Sequence, residues 1–215
     1  KNLQINESKI IYVYNSLKIH PKIKKSKNKK NLIWTGSIGP GHSLLTIIRS
    51  YAYLNAKIKL KIFGKIENYS YLKQMDKLID KLNLKKRVII HKFVPEYKIK
   101  KELKESYAAI ALYEPIITSH KYMAGASAKI NNYLAYSLPI IVSNNNDFSN
   151  FSKKFKASVP VNIRNPKSIS KTINKIVTNK KMYNQLRYNS YKAHIDEFNF
   201  EKQFKKINDR LNILR

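Results

Sequence analysis

The sequence ASAKINNYLAYSLPIIVS, from Ala126 to Ser143, carries the most information about the fold. A lysine, Lys129, stands near the start of a short amphipathic segment, and Pro139 ends that segment. The apolar residues of the segment recur at helical spacing, at Ile130, Tyr133 and Leu134. The apolar run Pro139-Ile140-Ile141-Val142 that follows is typical of a strand covered on both faces, as in a parallel sheet. The stretch therefore predicts a helix that leads into a buried strand.

Lys129 lies in the first turn of this predicted helix. Backbone N–H groups are free there, and the helix dipole already favours an anion. Taken alone, Lys129 would be one more solvated lysine in a lysine-rich chain. Its place at the helix start instead makes it a candidate anion ligand.

Strand patterns and helix patterns alternate along the rest of the chain. We predict strands at Leu32–Trp34, Ile58–Gly64, Val88–Ile90, Ala109–Leu112, Pro139–Val142 and Val159–Val161. We predict further helices around Leu44–Ala52, Leu72–Leu82, Tyr97–Tyr107, Ile169–Val177 and Phe204–Leu214, with Asn165 and Pro166 as the cap and first residue of one of them. Alternation with connections of ordinary length predicts an α/β fold with an open parallel sheet and helices on both faces.

The segment around Lys129 also resembles the donor-binding signature of GT-B nucleotide-sugar glycosyltransferases of the bacterial surface-polysaccharide type, the glycosyl transferases group 1. That signature has a serine shortly before a lysine, then a glutamate and tyrosine, and then a proline before apolar residues. The residues that match it are Ser127, Lys129, Ile130, Tyr133, Leu134, Ala135, Leu138, Pro139, Ile140 and Ile141. Two positions depart, because the two glutamates of the family's paired-carboxylate motif fall on Asn132 and Ala124.

The resemblance implies the Rossmann-like carboxy-terminal half of a GT-B enzyme. Residues 1–30, with a strand expected over Lys9–Leu17 and a basic stretch after it, would be the interdomain segment. Residues 31–215 would be the nucleotide-sugar-binding domain with its terminal helix. The amino-terminal half, which in this family holds the acceptor site, would lie outside this sequence.

A glycine-rich turn, GSIGPGH at Gly36–His42, follows the first predicted strand. Such a turn lets backbone N–H groups approach a phosphate, and the next helix adds its dipole. By itself the motif is equally typical of a tight turn that needs positive φ, since its spacing is not the dinucleotide fingerprint. In the family this loop faces the donor diphosphate and often supplies arginine and lysine, where this chain has Ser37 and His42. Gly36 and Gly41 would contribute backbone.

Two further loops are candidate binding elements. The run Lys92-Phe93-Val94-Pro95 resembles the family element that holds the nucleotide base, with Lys92 in place of a glycine. Without the resemblance, Phe93 and Val94 would belong to the margin of the core. The loop from Tyr113 to Met123 follows a predicted strand at its carboxyl end, where open α/β sheets bind ligands. Glu114 in that loop would face the site, or else be a surface carboxylate.

The charge of the chain is strongly positive, with 43 basic and 13 acidic residues and a formal net charge of +30. Only six basic residues are arginine, which argues against a dedicated nucleic-acid reader. The excess of lysine, with abundant Asn, Ile and Tyr, is also the product expected of AT-rich coding. A basic surface is nevertheless suited to attachment to an anionic membrane face. With no cysteine, no membrane-spanning apolar run and no secretory signal, we expect a cytoplasmic protein, with that membrane association as an option.

The sequence thus predicts the donor-binding half of an enzyme that passes a sugar from a nucleotide diphosphate sugar to a saccharide or lipid-linked acceptor in surface polysaccharide synthesis. Lys129 would neutralise the leaving diphosphate, Asn132 would take the ribose hydroxyls, and no cofactor or metal is expected. One alternative is a nucleotide-binding module that has lost catalysis, as the two missing glutamates suggest. A basic nucleic-acid-binding protein is a further alternative.

Overall fold

The computed structural model describes residues 10–19, 21, 31–92, 94–116 and 118–213. Within these residues, six strands form one sheet, and every pair of neighbouring strands is parallel. The strands are β1 (Asn31–Ile38), β2 (Lys59–Ile66), β3 (Val88–His91), β4 (Ala108–Ala111), β5 (Ile140–Ser143) and β6 (Ser158–Val161). The predicted open parallel sheet is confirmed.

The strand order is β3-β2-β1-β4-β5-β6, so the chain builds the sheet outward from β1 in one direction and then returns to β1 to build in the other. The two directions part between β1 and β4. In open α/β sheets, this switch point creates a crevice at the carboxyl ends of the strands where ligands bind.

Helices cover both faces of the sheet. They are α1 (Leu44–Ser50), α2 (Tyr69–Lys81), α3 (Glu96–Glu105), α4 (Met123–Ala126), α5 (Ala128–Ala135), α6 (Asn146–Phe155), α7 (Pro166–Thr178), α8 (Lys180–Asp196) and α9 (Phe200–Ile213). Short 3-10 turns lie at Tyr51–Tyr53 and Thr118–Tyr122. Buried side chains of α1, α2 and α7 pack on one face, and those of α3, α5 and α6 pack on the other.

The alternation of strand residues divides the core into these two layers. Leu32 and Trp34 of β1 face the α1 side, whereas Ile33 between them faces the α5 side. All three side chains are buried, which is why the strands read as continuous apolar runs and not as alternating ones.

The predicted cap of α7 is confirmed, because the Asn165 side chain accepts the N–H of Ser168 and Pro166 occupies the first helical position. The sequence patterns did not predict α6 or α8. Helix α6 begins with Asn146, Asp147 and Ser149, which are weak helix formers, but the Asn145 side chain caps it through the N–H of Phe148. Packing of Phe148 and Phe151 in the core stabilises that helix.

Two local predictions were wrong. The glycine turn was placed at Gly36–His42, but β1 stays paired with β2 through Ile38, so Gly36 and Ser37 are strand residues and the turn begins at Gly39. Residues 10–17 form no strand in the structure, and Lys9 lies outside the described residues. Instead this segment follows α9, where the Gln203 side chain accepts the N–H of Tyr14.

Gly64 lies opposite Gly36 in the β1–β2 register, and a Cβ at Gly64 would stand 2.0 Å from the carbonyl oxygen of Gly36. Gly64→Ala is therefore expected to lower the free energy of unfolding by about 1–3 kcal/mol, because backbone must move to make room. Urea denaturation measures this. The matched control is Gly39→Ala, since a Cβ there has its nearest neighbours at 3.7 Å. Equal losses in the two variants would contradict the close approach.

In the part of the chain that the structure describes, no helix combines the length and apolar character needed to cross a bilayer.

Candidate functional site at the switch point of the sheet

Lys129 reaches from the first turn of α5 into the crevice between β1 and β4. Its Nζ lies 4.5 Å from the centroid of the Trp34 ring and 4.9 Å from that of Tyr113. The side chain is half-buried as a whole, but Nζ itself is buried and has no hydrogen-bond partner among the described residues. A Cβ at Gly36 would lie only 2.9 Å from Nζ. The ammonium group is thus enclosed by two aromatic faces and the glycine backbone.

Burial lowers the pKa of Lys129 from 10.5 to about 7. The cause is desolvation, because removal from water disfavours the charged form. No carboxylate in the described residues forms an ion pair with it. A buried cation without a counter-ion is costly, and an anionic ligand that entered the crevice would supply the missing charge.

The glycine turn brings two histidines to the same crevice. Gly41 has φ 98°, a conformation that favours glycine, and a Cβ there would stand 2.9 Å from His120. His42 stacks on His120 with ring centroids 5.3 Å apart. Burial lowers the pKa of His42 to about 3, and the nearby Lys129 and His120 lower it further. His42 is therefore neutral at physiological pH and can contact an anion only as a neutral hydrogen-bond donor.

Glu114 fastens the loop after β4 to the glycine turn. Its backbone N–H donates to the carbonyl of Gly41 at 2.8 Å, and its carboxylate accepts from the hydroxyl of Ser43 at 3.0 Å. The Nδ1 atom of His120 lies 3.0 Å from the carbonyl oxygen of Glu114. These contacts give Glu114 a role in holding two loops together over the crevice.

Ser127 has both of its expected contacts within the protein. Its hydroxyl accepts the N–H of Ile130 and so caps α5, as the sequence predicted. The same oxygen lies 2.6 Å from the hydroxyl of Tyr113. Because Ser127 is buried, it orients the first turn of α5 and the Tyr113 ring and does not present a free hydroxyl to the crevice.

The remaining predicted residues are less tightly grouped. Ser37 is half-buried near the end of β1, and Val94 packs at the margin of the core on the α5 side. Asn132 is half-buried on α5, and its side chain has no hydrogen bond to another described residue. Phe93 lies outside the described residues.

Residues outside the predicted site complete the crevice. Trp34 and Tyr113 form the walls around Lys129, and His120 covers the glycine turn. One sequence signal could have indicated Trp34, since the single tryptophan of the chain stands two residues before Gly36 at the end of a predicted strand. Nothing in the sequence places His120 there, because the loop that carries it has no periodic pattern.

The crevice is closed over Lys129 itself. A cleft of about 250 Å³ opens beside the glycine turn and is lined by Ser43, Thr46, Glu114, Pro115, Ile116, Ile163 and Arg164. It adjoins the crevice through Ser43 and Glu114, and Lys129 does not line it. Among the described residues, no group of His, Asp and Glu side chains is arranged to hold a metal ion.

The fold and the crevice together define a class of protein: an open parallel α/β domain with a buried basic group at the switch point, next to a glycine turn and a helix start. The family model of glycosyl transferases group 1 matches residues 15–193. The chain therefore belongs to the glycosyl transferases group 1 family, and the GT-B resemblance is confirmed.

Solved structures of GT-B glycosyltransferases share the fold at low sequence identity. HepE from Anabaena, solved with UDP and glucose, matches with a TM-score of 0.78 and 13% identity over 93% of this chain and 56% of that one. TarM from S. aureus, solved with fondaparinux, alpha-GlcNAc-glycerol and UDP, matches with 0.73 and 16% over 93% and 38%. Sucrose-phosphate synthase from Thermosynechococcus elongatus matches with 0.71 and 14% over 87% and 46%.

The chain thus spans about half or less of the length of these three proteins. A sequence comparison with curated proteins found no match.

Proposed function

We propose that this domain binds the nucleotide diphosphate of a donor sugar, and that together with an acceptor-binding half it transfers the sugar to a saccharide or lipid-linked acceptor. The observation that carries the proposal is the Nζ of Lys129, which is buried at the switch point without a protein counter-ion. UDP is present in the structures of the similar HepE and TarM, which supports a nucleotide as the anion.

Transfer requires cleavage of the bond between the sugar and the terminal phosphate. As that bond breaks, its electron pair stays with the phosphate oxygen, and negative charge grows on the nucleotide diphosphate. A fixed cation beside this oxygen stabilises the transition state more than the ground state. We assign this role to Lys129, with backbone of Gly36 and Gly41 and the neutral His42 as further contacts.

The decisive experiment is a screen of uridine, guanosine and adenosine diphosphates and their sugars by ligand-observed NMR and thermal shift. We expect binding of at least one nucleotide with modest affinity, because a GT-B cleft is completed by a second domain. No response to any nucleotide at millimolar concentration would overturn the proposal.

A second candidate function is nucleotide binding without catalysis. The observation in its favour is that Ala124 and Asn132 stand where the family has carboxylates. The full-length protein would separate the two functions, since a transferase hydrolyses its donor sugar slowly without acceptor, whereas a binding module leaves the donor intact.

The remaining partners are also proposals. Surface polysaccharide synthesis and attachment to an anionic membrane are supported only by the family resemblance and by the net charge of +30. Binding to vesicles that contain 30% anionic lipid, compared at low and high salt, would test the attachment. Weak salt-sensitive binding to nucleic acid is expected from the charge alone and assigns no function.

Asn132 gives a prediction about the ribose. Asn132→Glu is expected to bind the nucleotide as well as the parent or up to about 1 kcal/mol better, because a carboxylate accepts stronger hydrogen bonds than an amide. Lys129 three residues away offsets the repulsion from the diphosphate. Asn132→Leu should bind more weakly, since it keeps the volume and removes the polar groups.

The measurement is a titration of the parent and both variants with a nucleotide and with its 2′,3′-dideoxy analogue. If the parent does not distinguish the two ligands and neither variant changes affinity, Asn132 is a surface residue of α5 without contact to the ribose.

A further inference from the structure

The hydroxyl of Tyr133 lies where two neighbouring strands separate. β1 pairs with β2 along all eight of its residues, but its register with β4 includes only Leu32 and Ile33. Beyond that point the N–H of Thr35 donates to the Tyr133 hydroxyl at 2.8 Å, and the Thr35 hydroxyl lies 3.1 Å from the same oxygen. The phenol therefore takes a backbone donor of β1 past the last residue that is paired with β4.

Tyr133 and Lys129 stand four residues apart on α5, so their side chains leave the same face of the helix. The helix consequently meets β1 at two successive places. Tyr133 contacts Thr35, whereas Lys129 contacts Trp34 and Gly36 on either side of that threonine. Hydrogen bonds are directional, so the first contact fixes the position of α5 along β1 more strictly than an ammonium against aromatic rings can.

The hydroxyl, and not the ring, makes this connection. Tyr133 is fully buried, and burial raises its pKa, so the hydroxyl stays protonated and can both accept the Thr35 N–H and donate to the Thr35 hydroxyl. The ring packs in the core on the α5 side with Ile130 and Leu134. A phenylalanine would keep that packing and lose only the link to β1.

We propose that Tyr133 is a positioning residue whose hydroxyl holds α5 against β1 and so keeps the Nζ of Lys129 in the gap between Trp34 and Tyr113. This inference rests on the proposed function, because it concerns the lysine that would neutralise the diphosphate. It assigns to the tyrosine of the Lys129 segment a role in donor binding without contact to the donor.

The first test is Tyr133→Phe in the free protein, followed by the titration of Lys129 through its side-chain carbon signal in NMR. We expect the pKa of Lys129 to rise from about 7 toward 10.5, because a displaced helix start exposes Nζ to water. The titratable groups around it are Tyr113, His42 and His120. Burial raises the pKa of Tyr113 to about 12 and lowers that of His42 to about 3, so neither titrates with Lys129.

The matched control is Tyr51→Phe. The Tyr51 hydroxyl is also buried, but it has no hydrogen-bond partner among the described residues and lies on the other face of the sheet. This control should leave the titration of Lys129 unchanged. A purely structural role of Tyr133 would lower the unfolding temperature and leave the titration of Lys129 as it is in the parent, which would overturn the inference.

The second test is a double-mutant cycle with uridine and guanosine diphosphate as probes. Tyr133→Phe should weaken binding about three- to tenfold in the parent, and by less than about 1.5-fold in a Lys129→Ala background, because its effect passes through the lysine. Equal losses in both backgrounds would contradict the inference. If the parent binds neither nucleotide, the proposed function fails, and the titration of Lys129 in the free protein still decides the role of Tyr133.

Discussion

Lys129→Ala is expected to weaken nucleotide diphosphate binding about tenfold to a hundredfold. A charge-assisted contact is worth roughly 1.5–3 kcal/mol, and each 1.4 kcal/mol is a factor of about ten in affinity. The contact is strong here because Nζ is buried between two rings, where solvent screens the charge little. Isothermal titration of parent and variant with the nucleotide found in the screen measures the loss.

The control for this prediction is Lys77→Ala, an exposed lysine on α2. It removes the same charge from the chain at a distance from the crevice. If Lys77→Ala weakens binding as much as Lys129→Ala, only the diffuse positive charge attracts the nucleotide, and the site assignment fails.

Lys129→Met is expected to stabilise the free protein at pH 7, by up to about 4 kcal/mol. Lys129 has a pKa of about 7 in the folded chain and 10.5 as its ordinary value. Each pKa unit corresponds to about 1.36 kcal/mol. Methionine fills a similar volume without a charge to desolvate, so the cost of burying the ammonium disappears. Urea denaturation of parent and variant gives the difference.

The sign of the pH dependence follows from the same shift. Between pH 7 and 10.5 the unfolded chain binds a proton at Lys129 that the folded chain does not, so the stability of the parent rises with pH in that window. Lys129→Met lacks this group, and its advantage should shrink by about 2 kcal/mol between pH 7 and pH 9. Lys77→Met should show no such trend. A constant difference between parent and Lys129→Met would mean that Lys129 is charged and solvated at pH 7.

The elements that the sequence predicted best are those whose period is set by burial on both faces of a sheet. The strands at Leu32, Val88 and Ile140 were found from apolar runs alone. By contrast, α6 and α8 carry many polar residues, and their buried residues are aromatic and small side chains at wide spacing. Such helices depend on tertiary packing, which local propensity does not report.

The sequence predicted the start of α5 because capping is local. Ser127 and the N–H of Ile130 lie three residues apart, so their hydrogen bond follows from helix geometry at that point of the chain. The glycine turn was misplaced because its boundary depends on β2. Gly36 and Ser37 remain in β1 only because Gly64 and Lys65 pair with them from a distant part of the chain.

The sequence by itself determined the parallel α/β fold, the family and the place of Lys129 in the first turn of α5, since each of these depends on residues within a few positions of one another. Only the tertiary structure decided the environment of that lysine. Trp34, Tyr113 and His120 come from separate elements that meet where β1 and β4 part, and their enclosure of Nζ, not the residue type, lowers its pKa to about 7. Desolvation depends on the surrounding atoms in space, and a linear pattern does not contain that information.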